Sequence, residues 1–188
     1  GGGARERRPV GMTDRRGRIA ASLDSAHEAL RMARREVAGV DADAARWRWV
    51  SVGLVIALQG ALVAALSGYE TAADADVVDP SSPERYAPVT LLLRRARSTD
   101  YLNGPERVEM TGSTLHQIER LIAYRNAVVH GLGTGDAEGM AKGCRKVLGV
   151  VRHLVLSHPA FDASLHHLVC TLISDEIAGI ERLLVDRC

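Results

Sequence analysis

The sequence predicts an all-α fold, an up-and-down bundle of about five helices. Three observations carry this. Apolar residues recur at helical spacing over long windows, without strand-like alternation. Alanine, leucine, valine and arginine dominate the chain. Aromatic residues make up only 4%, so the core is built from aliphatic side chains.

At 188 residues the chain is long enough for one good core. Its 46% hydrophobic and 25% charged residues are ordinary for a soluble globular protein. The net charge of +1 supplies no global field, so any contact with nucleic acid must come from a local patch. The three cysteines, Cys144, Cys170 and Cys188, form no CxxC pair, which speaks against a disulfide framework or a zinc signature and fits a reducing cytoplasm. The N-terminal glycines and the basic segment after them read as a flexible tail over residues 1–12. No apolar h-region follows at signal-peptide distance, which argues against secretion.

The remainder, residues 13–188, reads as a single helical bundle. The first helix is expected from Asp14 to Val37, with Ile19, Leu23, Ala26, Leu30, Ala33 and Val37 as one apolar stripe. Gly39 stops it, and Asp41 or Asp43 can cap the next helix. That second helix, Asp43 to Leu66, contains the 17 uncharged residues VSVGLVIALQGALVAAL. The run is at the short limit for a membrane span, and Gln59, Gly53 and Gly60 interrupt it. A helix apolar all round is also what the centre of a bundle requires, and that expectation is preferred. Tyr69 to Pro88 reads as a long loop. A short helix from Val89 to Arg97 turns Leu91, Leu92 and Leu93 inward and Arg94, Arg95 and Arg97 outward. Asn103-Gly104-Pro105 is the strongest turn signal after it.

The next helix is expected from Thr114, with Gln117 placed for a capping box, to His130, because glycines follow at 131, 133 and 135. A further helix covers Asp136 to Ser157, with Met140, Cys144, Val147, Val151 and Leu154 as its stripe, and Pro159 ends it. The last helix starts near Asp162 and carries Leu165, Leu168, Leu172, Ile173, Ile177, Ile180 and Leu184.

One stretch departs from this pattern: LIAYRNAVVHG, Leu121 to Gly131. Leu115, Ile118, Ile122 and Val129 form the apolar stripe of its helix, and Arg125 stands in that stripe. A charge in a buried stripe is expensive unless it is paired. Asn126 and His130 are four apart and share a face. Arg125 and His130 are five apart, about 140° and about 7.5 Å of rise on a regular helix. Arginine and histidine near a helix C-terminus can simply serve the last carbonyls. The fuller string, YRNAVVHG, asks for more than that.

That string resembles the signature of the HEPN superfamily, in which arginine, a polar residue, a short spacer and histidine close a bundle helix. Arg125, Asn126 and His130 stand at the motif positions. The resemblance is specific over Leu121 to Gly131 and consistent with a HEPN-like bundle elsewhere; the long loop at 69–88 is not part of a minimal member. It implies a metal-independent endoribonuclease with no cofactor. It further implies a homodimer that forms a composite site, and a place in a prokaryotic toxin or anti-phage defence system, with an antitoxin or other regulatory protein as a possible partner. The alternative is a non-catalytic HEPN-like module for dimerisation or partner binding. The chemistry agrees with the first. RNA carries its own nucleophile, the 2′-hydroxyl. Histidine, with a reference pKa of about 6.5, is the natural base. The arginine fork matches phosphate oxygens.

Arg94, Arg95 and Arg120 are candidate phosphate contacts, although a solvated helix face accounts for most such residues. His153, His158, His166 and His167 raise the question of a metal, but adjacent histidines point about 100° apart and no carboxylate pair completes a site. There is no P-loop, GxSxG or Gly-rich turn after a strand. The expected protein is cytoplasmic and does not engage a membrane.

Overall fold

The computed structural model describes residues 14–69, 71–131 and 137–185. The expected N-terminal tail, the glycines at 133 and 135, Asp136 and Cys188 lie outside the described residues. Among the described residues there are six helices: α1 (Arg15–Gly39), α2 (Trp47–Gly68), α3 (Val89–Ala96), α4 (Gly112–Val129), α5 (Ala137–Arg152) and α6 (His167–Val185). Only α3 is short, and each of the six answers to a helix placed from the sequence, one more than the round figure of about five. The buried apolar side chains form one cluster that joins all six.

Each helix starts for a local reason. Asp14 Oδ1 accepts the Gly17 N–H at 2.6 Å and caps α1. Asp43 accepts the Ala45 N–H at 2.9 Å and opens a 3-10 turn, Ala44–Arg46, that leads into α2. α2 packs against α1, α3, α4 and α5. It is long and apolar enough to cross a membrane by composition, but 83% of its most apolar window is buried by the rest of the bundle. The apolar run is therefore accounted for by the core.

Small residues let α1 and α2 come close. Gly53 lies over the Ala29 carbonyl and Ala33, and Gly60 over the Ser22 carbonyl and Ala26. The pairing of 53 with 29–33 and 60 with 22–26 makes the two helices antiparallel. At the far end of α2, Gly68 meets Phe161, which follows α5. Gly143 of α5 lies against Gln117 and Leu121 of α4, and His153 at the end of α5 bonds the Glu106 carbonyl ahead of α4 at 3.1 Å. The long helices thus alternate in direction, and the up-and-down topology holds.

The segment from Tyr69 to Pro88 is more ordered than a loop. It holds a 3-10 turn, Asp74–Asp76, and an antiparallel ribbon of β1 (Val78–Asp79) and β2 (Ser82–Tyr86). Asp79 closes the ribbon's turn by accepting from the Ser81 N–H and Oγ at 2.9 and 2.7 Å. Those bonds hold the Asp79 carboxyl below the usual carboxylate range.

Two buried arginines fasten this segment. Arg18 of α1 donates to Asp74 at 2.6 Å and to Ser67 Oγ at 2.9 Å. Arg95 of α3 donates to the Asp76 carbonyl at 2.8 Å and lies over the Tyr101 ring at 5.7 Å. The expectation that Arg95 faces outward is therefore corrected: it is 9% exposed. Its neighbourhood needs donors, because the 3-10 turn and β1 leave backbone carbonyls without ladder partners. We predict that Asp74→Ala costs about 2 kcal/mol, because it strips the buried Arg18 of its counter-ion. Breaking the exposed Glu28–Arg31 pair, 3.0 Å apart, costs a few tenths at most. Chemical denaturation of the two variants checks the contrast.

Two further expectations are corrected. The N-cap of α4 is Thr111, whose Oγ1 accepts the Thr114 N–H at 3.2 Å. Gln117 makes no capping box; its Oε1 is buried and finds no hydrogen-bond partner. In α6 the inward stripe begins at Cys170, not at the leucines before it. Leu165, Leu168 and Leu172 are exposed, whereas Ile173, Ile177, Ile180 and Leu184 are buried. Leu172 and Ile173 point about 100° apart, and only one of these faces can meet the bundle. α5 gives way at Arg152 to a π-helical turn, His153–Ser157, closed by the His158 N–H on the His153 carbonyl at 2.9 Å. Cys144 is fully enclosed, and burial pushes its thiol up to about 12.

Candidate functional site

The motif occupies the last turns of α4. Up to Ile122 the helix is anchored by Ile118, Leu121 and Ile122, all buried. Beyond Ile122 it emerges from the core. Val129, expected in the buried stripe, is 63% exposed, and this expectation is corrected. A stripe at helical spacing is buried only as far as neighbours accompany it, and α4 outruns them.

His130 is the C-cap. Its N–H donates to the carbonyls of Ala127 at 3.1 Å and Asn126 at 3.3 Å, and the Gly131 N–H donates to Val128 at 3.0 Å. Gly131 has φ of 76°, a left-handed conformation that favours glycine. The glycine ends the helix and fixes where the His130 imidazole leaves it. Gly131→Ala should cost about 1 kcal/mol and displace His130; thermal melting reads the first and the NMR resonances of the imidazole the second.

Asn126 and His130 are both exposed on one face of α4. Among the described residues no side-chain hydrogen bond links them. Arg125 sits at the boundary between core and solvent, and its Nε is buried without a hydrogen-bond partner. Burial holds its guanidinium below the usual arginine value. Arginine nevertheless remains a cation at neutral pH. Among the described residues no carboxylate pairs with it, and its place at the core boundary, not deep in the stripe, is what limits the cost. The chemical capacity of the site is plain: an arginine cation, an amide and an imidazole within one and a half turns, at a helix end open to solvent.

The other candidates sit differently. Arg120 is exposed on α4, in line with Ala123 and Ala127. Arg94 is exposed on α3, while the adjacent Arg95 is committed to the ribbon carbonyls. The histidines considered for metal have separate surroundings. His153 and His158 lie 5.1 Å apart, and His166 stands edge-on to Phe161. Among the described residues no three histidine, cysteine or acidic side chains gather as a metal site would need. Residues that sequence periodicity did not single out are Ala123 and Ala127. With the exposed Asn126 and His130 they complete a face at i, i+3, i+4 and i+7, on which Ala123 is exposed and Ala127 half-buried, and the two alanines leave room for another helix. Alanine inside a helix carries no signal of this; only its exposure does.

The chain matches no protein-family model, and no curated protein and no solved structure matches it, so the chemistry of α4 is what bears on function.

Proposed function

We propose that this chain is a metal-independent endoribonuclease of HEPN type. It cleaves RNA by attack of the 2′-hydroxyl, in a composite site shared by two copies. The observation that carries this reading is Arg125: a partly buried guanidinium with a shielded, unpartnered Nε, beside exposed Asn126 and His130. A buried charge normally has a counter-ion. Among the described residues Arg125 has none, and a cation so placed at a helix end is a seat for an external anion, with phosphate fitting its fork.

In the reaction His130 removes the proton from the 2′-oxygen, which attacks the adjacent phosphorus. The bond from phosphorus to the 5′-oxygen breaks, and that oxygen takes a proton from the imidazolium of the second copy. The products are a 2′,3′-cyclic phosphate and a 5′-hydroxyl. Arg125 stabilises the charge on the non-bridging oxygens, and Asn126 orients His130 or donates to the phosphate. Among the described residues one chain offers one imidazole at this end of α4, and the second copy supplies the other. The small-residue face of Ala123 and Ala127 lets two α4 helices approach. Arg120 and Arg94 are outer phosphate contacts. Cytoplasmic location, membership of a toxin or defence system and control by an antitoxin rest on the family resemblance alone.

The test is cleavage of single-stranded RNA by the purified chain. Activity should persist in EDTA, and it should disappear on a substrate carrying 2′-deoxyribose at the scissile position, where the nucleophile is missing. DNA cleavage, or activity lost in EDTA and restored by a divalent ion, sinks the mechanism. An inert wild type supports the non-catalytic module instead.

A further inference from the structure

We propose that the groove between α1 and α6 is a binding site for a free nucleoside 5′-phosphate, separate from the motif on α4 and independent of the nuclease reading. Leu30, Ala33 and Val37 turn one face of α1 into the core. Arg31, Arg34 and Arg35 stand on the flank beside that face, with Arg31 and Arg35 exposed and Arg34 half-buried. At i, i+3 and i+4 they share one turn and one side of the helix. All three line a hollow of about 540 Å³ whose opposite wall is α6. That size falls within the range of small-molecule sites, about 300–1,000 Å³.

The wall on α6 is shaped to hold Arg34. Gly179 lies inside α6, where glycine is a poor helix former. Its missing side chain makes the seat: a Cβ there would stand 2.5 Å from Arg34 Nε and 2.6 Å from its Cζ. Glu176, whose side chain is 16% exposed, accepts from Arg34 Nη1 at 3.3 Å and keeps it in that seat. Arg31 donates to both carboxylate oxygens of Glu28, at 3.0 and 3.2 Å. Among the described residues no carboxylate pairs with Arg35. Three guanidiniums therefore face two carboxylates. Arg31 and Arg35 are also a like-charge pair four apart, which a helix disfavours and a bound anion relieves. Nor do these arginines close α6, because Arg145 of α5 donates to the Leu184 carbonyl there.

The mixture of groups selects the ligand. Arg35, with the remaining N–H groups of Arg31, offers a fork to phosphate. Glu28 and Glu176 accept hydrogen bonds and repel a second anion, so the rest of the ligand must bring donors, as ribose hydroxyls do. Met32 and Leu183 are half-buried in the same hollow and give an apolar wall for a flat ring, on which a guanidinium face stacks as well. A bare inorganic anion leaves that wall unused, and a fatty acid has no donors for the carboxylates. The exposed apolar side chains elsewhere carry no such selection. Trp49 is 55% exposed where Trp47 is buried, and Leu168 is 73% exposed, but neither brings a charge that would choose a ligand.

Ligand-observed NMR titration of the full chain tests this, with AMP, ribose 5-phosphate, adenosine and inorganic phosphate as probes. The Arg125→Ala/His130→Ala chain is titrated beside the wild type, so that phosphate held at α4 is not counted. AMP should bind both chains alike below about 1 mM, and the other probes should bind at least about tenfold more weakly. Arg35→Ala and Arg31→Ala should each weaken AMP by about tenfold, while Arg16→Ala, at the other end of α1, should change nothing. Gly179→Ala is the sharper variant. Alanine favours the helix and displaces only the head of a flexible side chain, so melting should hold or rise while AMP affinity falls by about tenfold. No AMP binding at about 1 mM overturns the proposal, as does binding indifferent to Arg35→Ala and Gly179→Ala. Ribose 5-phosphate or inorganic phosphate bound as tightly as AMP overturns the assignment to a nucleotide. Loss of AMP binding in the Arg125→Ala/His130→Ala chain puts the nucleotide on α4 and overturns this site while leaving the nuclease reading in place.

Discussion

If the proposed nuclease site is right, His130→Ala should lower RNA cleavage by at least about a hundredfold, and Arg125→Ala should do the same, while both variants still dimerise. The first magnitude is that of a lost general base or acid, about 10²–10⁴ in rate. The second is that of a lost electrostatic stabiliser at a developing charge, about 10²–10³. The two side chains differ in structural risk, and the structure now ranks it. His130 is exposed and helps the fold only through its backbone N–H, which alanine retains. Arg125 is partly buried, but its Nε satisfies nothing, so its removal leaves no orphaned partner behind. Arg125→Ala should therefore melt within about 1 kcal/mol of the wild type, far from the penalty for breaking a buried ion pair. Arg125→Lys separates charge from shape: if a planar fork on phosphate matters, lysine restores little activity. Full activity in a purified sample of the double variant Arg125→Ala/His130→Ala would place the chemistry elsewhere on the chain. A large loss of stability in Arg125→Ala alone would mean that this arginine serves the core.

The fold was legible wherever periodicity coincided with contact. α1 begins beside Asp14, where it was expected, and its stripe of Ile19, Leu23, Ala26, Leu30, Ala33 and Val37 is buried as read. Met140, Cys144, Val147, Val151 and Leu154 are buried as read. Periodicity fails where a helix extends past its neighbours. Val129 and Leu168 continue their stripes in sequence, but nothing comes alongside them. Spacing along one helix cannot report where another helix stops. The ribbon at Val78 to Tyr86 was missed for a different reason. Its strands are short, β2 contains Pro83 and is mostly exposed, and it carries no alternation to read. Its attachment depends on Arg18 and Arg95, two positions that look like surface charges until distant carbonyls and a carboxylate are brought to them.

The motif was legible as a string, and its local geometry followed from the string. Arg125 in an apolar stripe, Asn126 and His130 four apart, and glycine after the histidine all appear at the end of α4. What no single chain's sequence conveys is whether that end is covered. The face of exposed Ala123, Asn126 and His130, with half-buried Ala127 beside them, becomes visible only when full burial stops at Ile122. Trp49 gave no sign of standing apart from Trp47, because two residues on a helix differ by about 200° and the sequence does not say which side is inside.

The second large effect concerns the α1–α2 seam, and one substitution made twice exposes it. Gly149→Ala on α5 should stabilise the chain by about 0.5–1 kcal/mol. The position is helical and exposed, a Cβ there meets nothing within 4 Å, and alanine is the better helix former. Gly60→Ala on α2 should destabilise it by about 2 kcal/mol despite the same gain in propensity. A Cβ at Gly60 would stand 2.5 Å from the Ser22 carbonyl oxygen and 3.1 Å from the Ala26 Cβ. The obstacle is backbone, so no rotamer change relieves it, and α1 must move outward. That movement loosens Leu23, Leu30 and Val37 against the central helix, because packed interiors transmit strain. Gly53, whose Cβ would stand 2.7 Å from the Ala29 carbonyl oxygen, lies two turns away on the same seam. Once α1 has been displaced by alanine at 60, alanine at 53 should cost less than it does alone, so the double variant is less than additive. Melting should fall by several degrees for Gly60→Ala and rise by about 2 °C for Gly149→Ala. If alanine at 60 is neutral or stabilising, the close approach of α1 and α2 is not what holds the centre of this bundle.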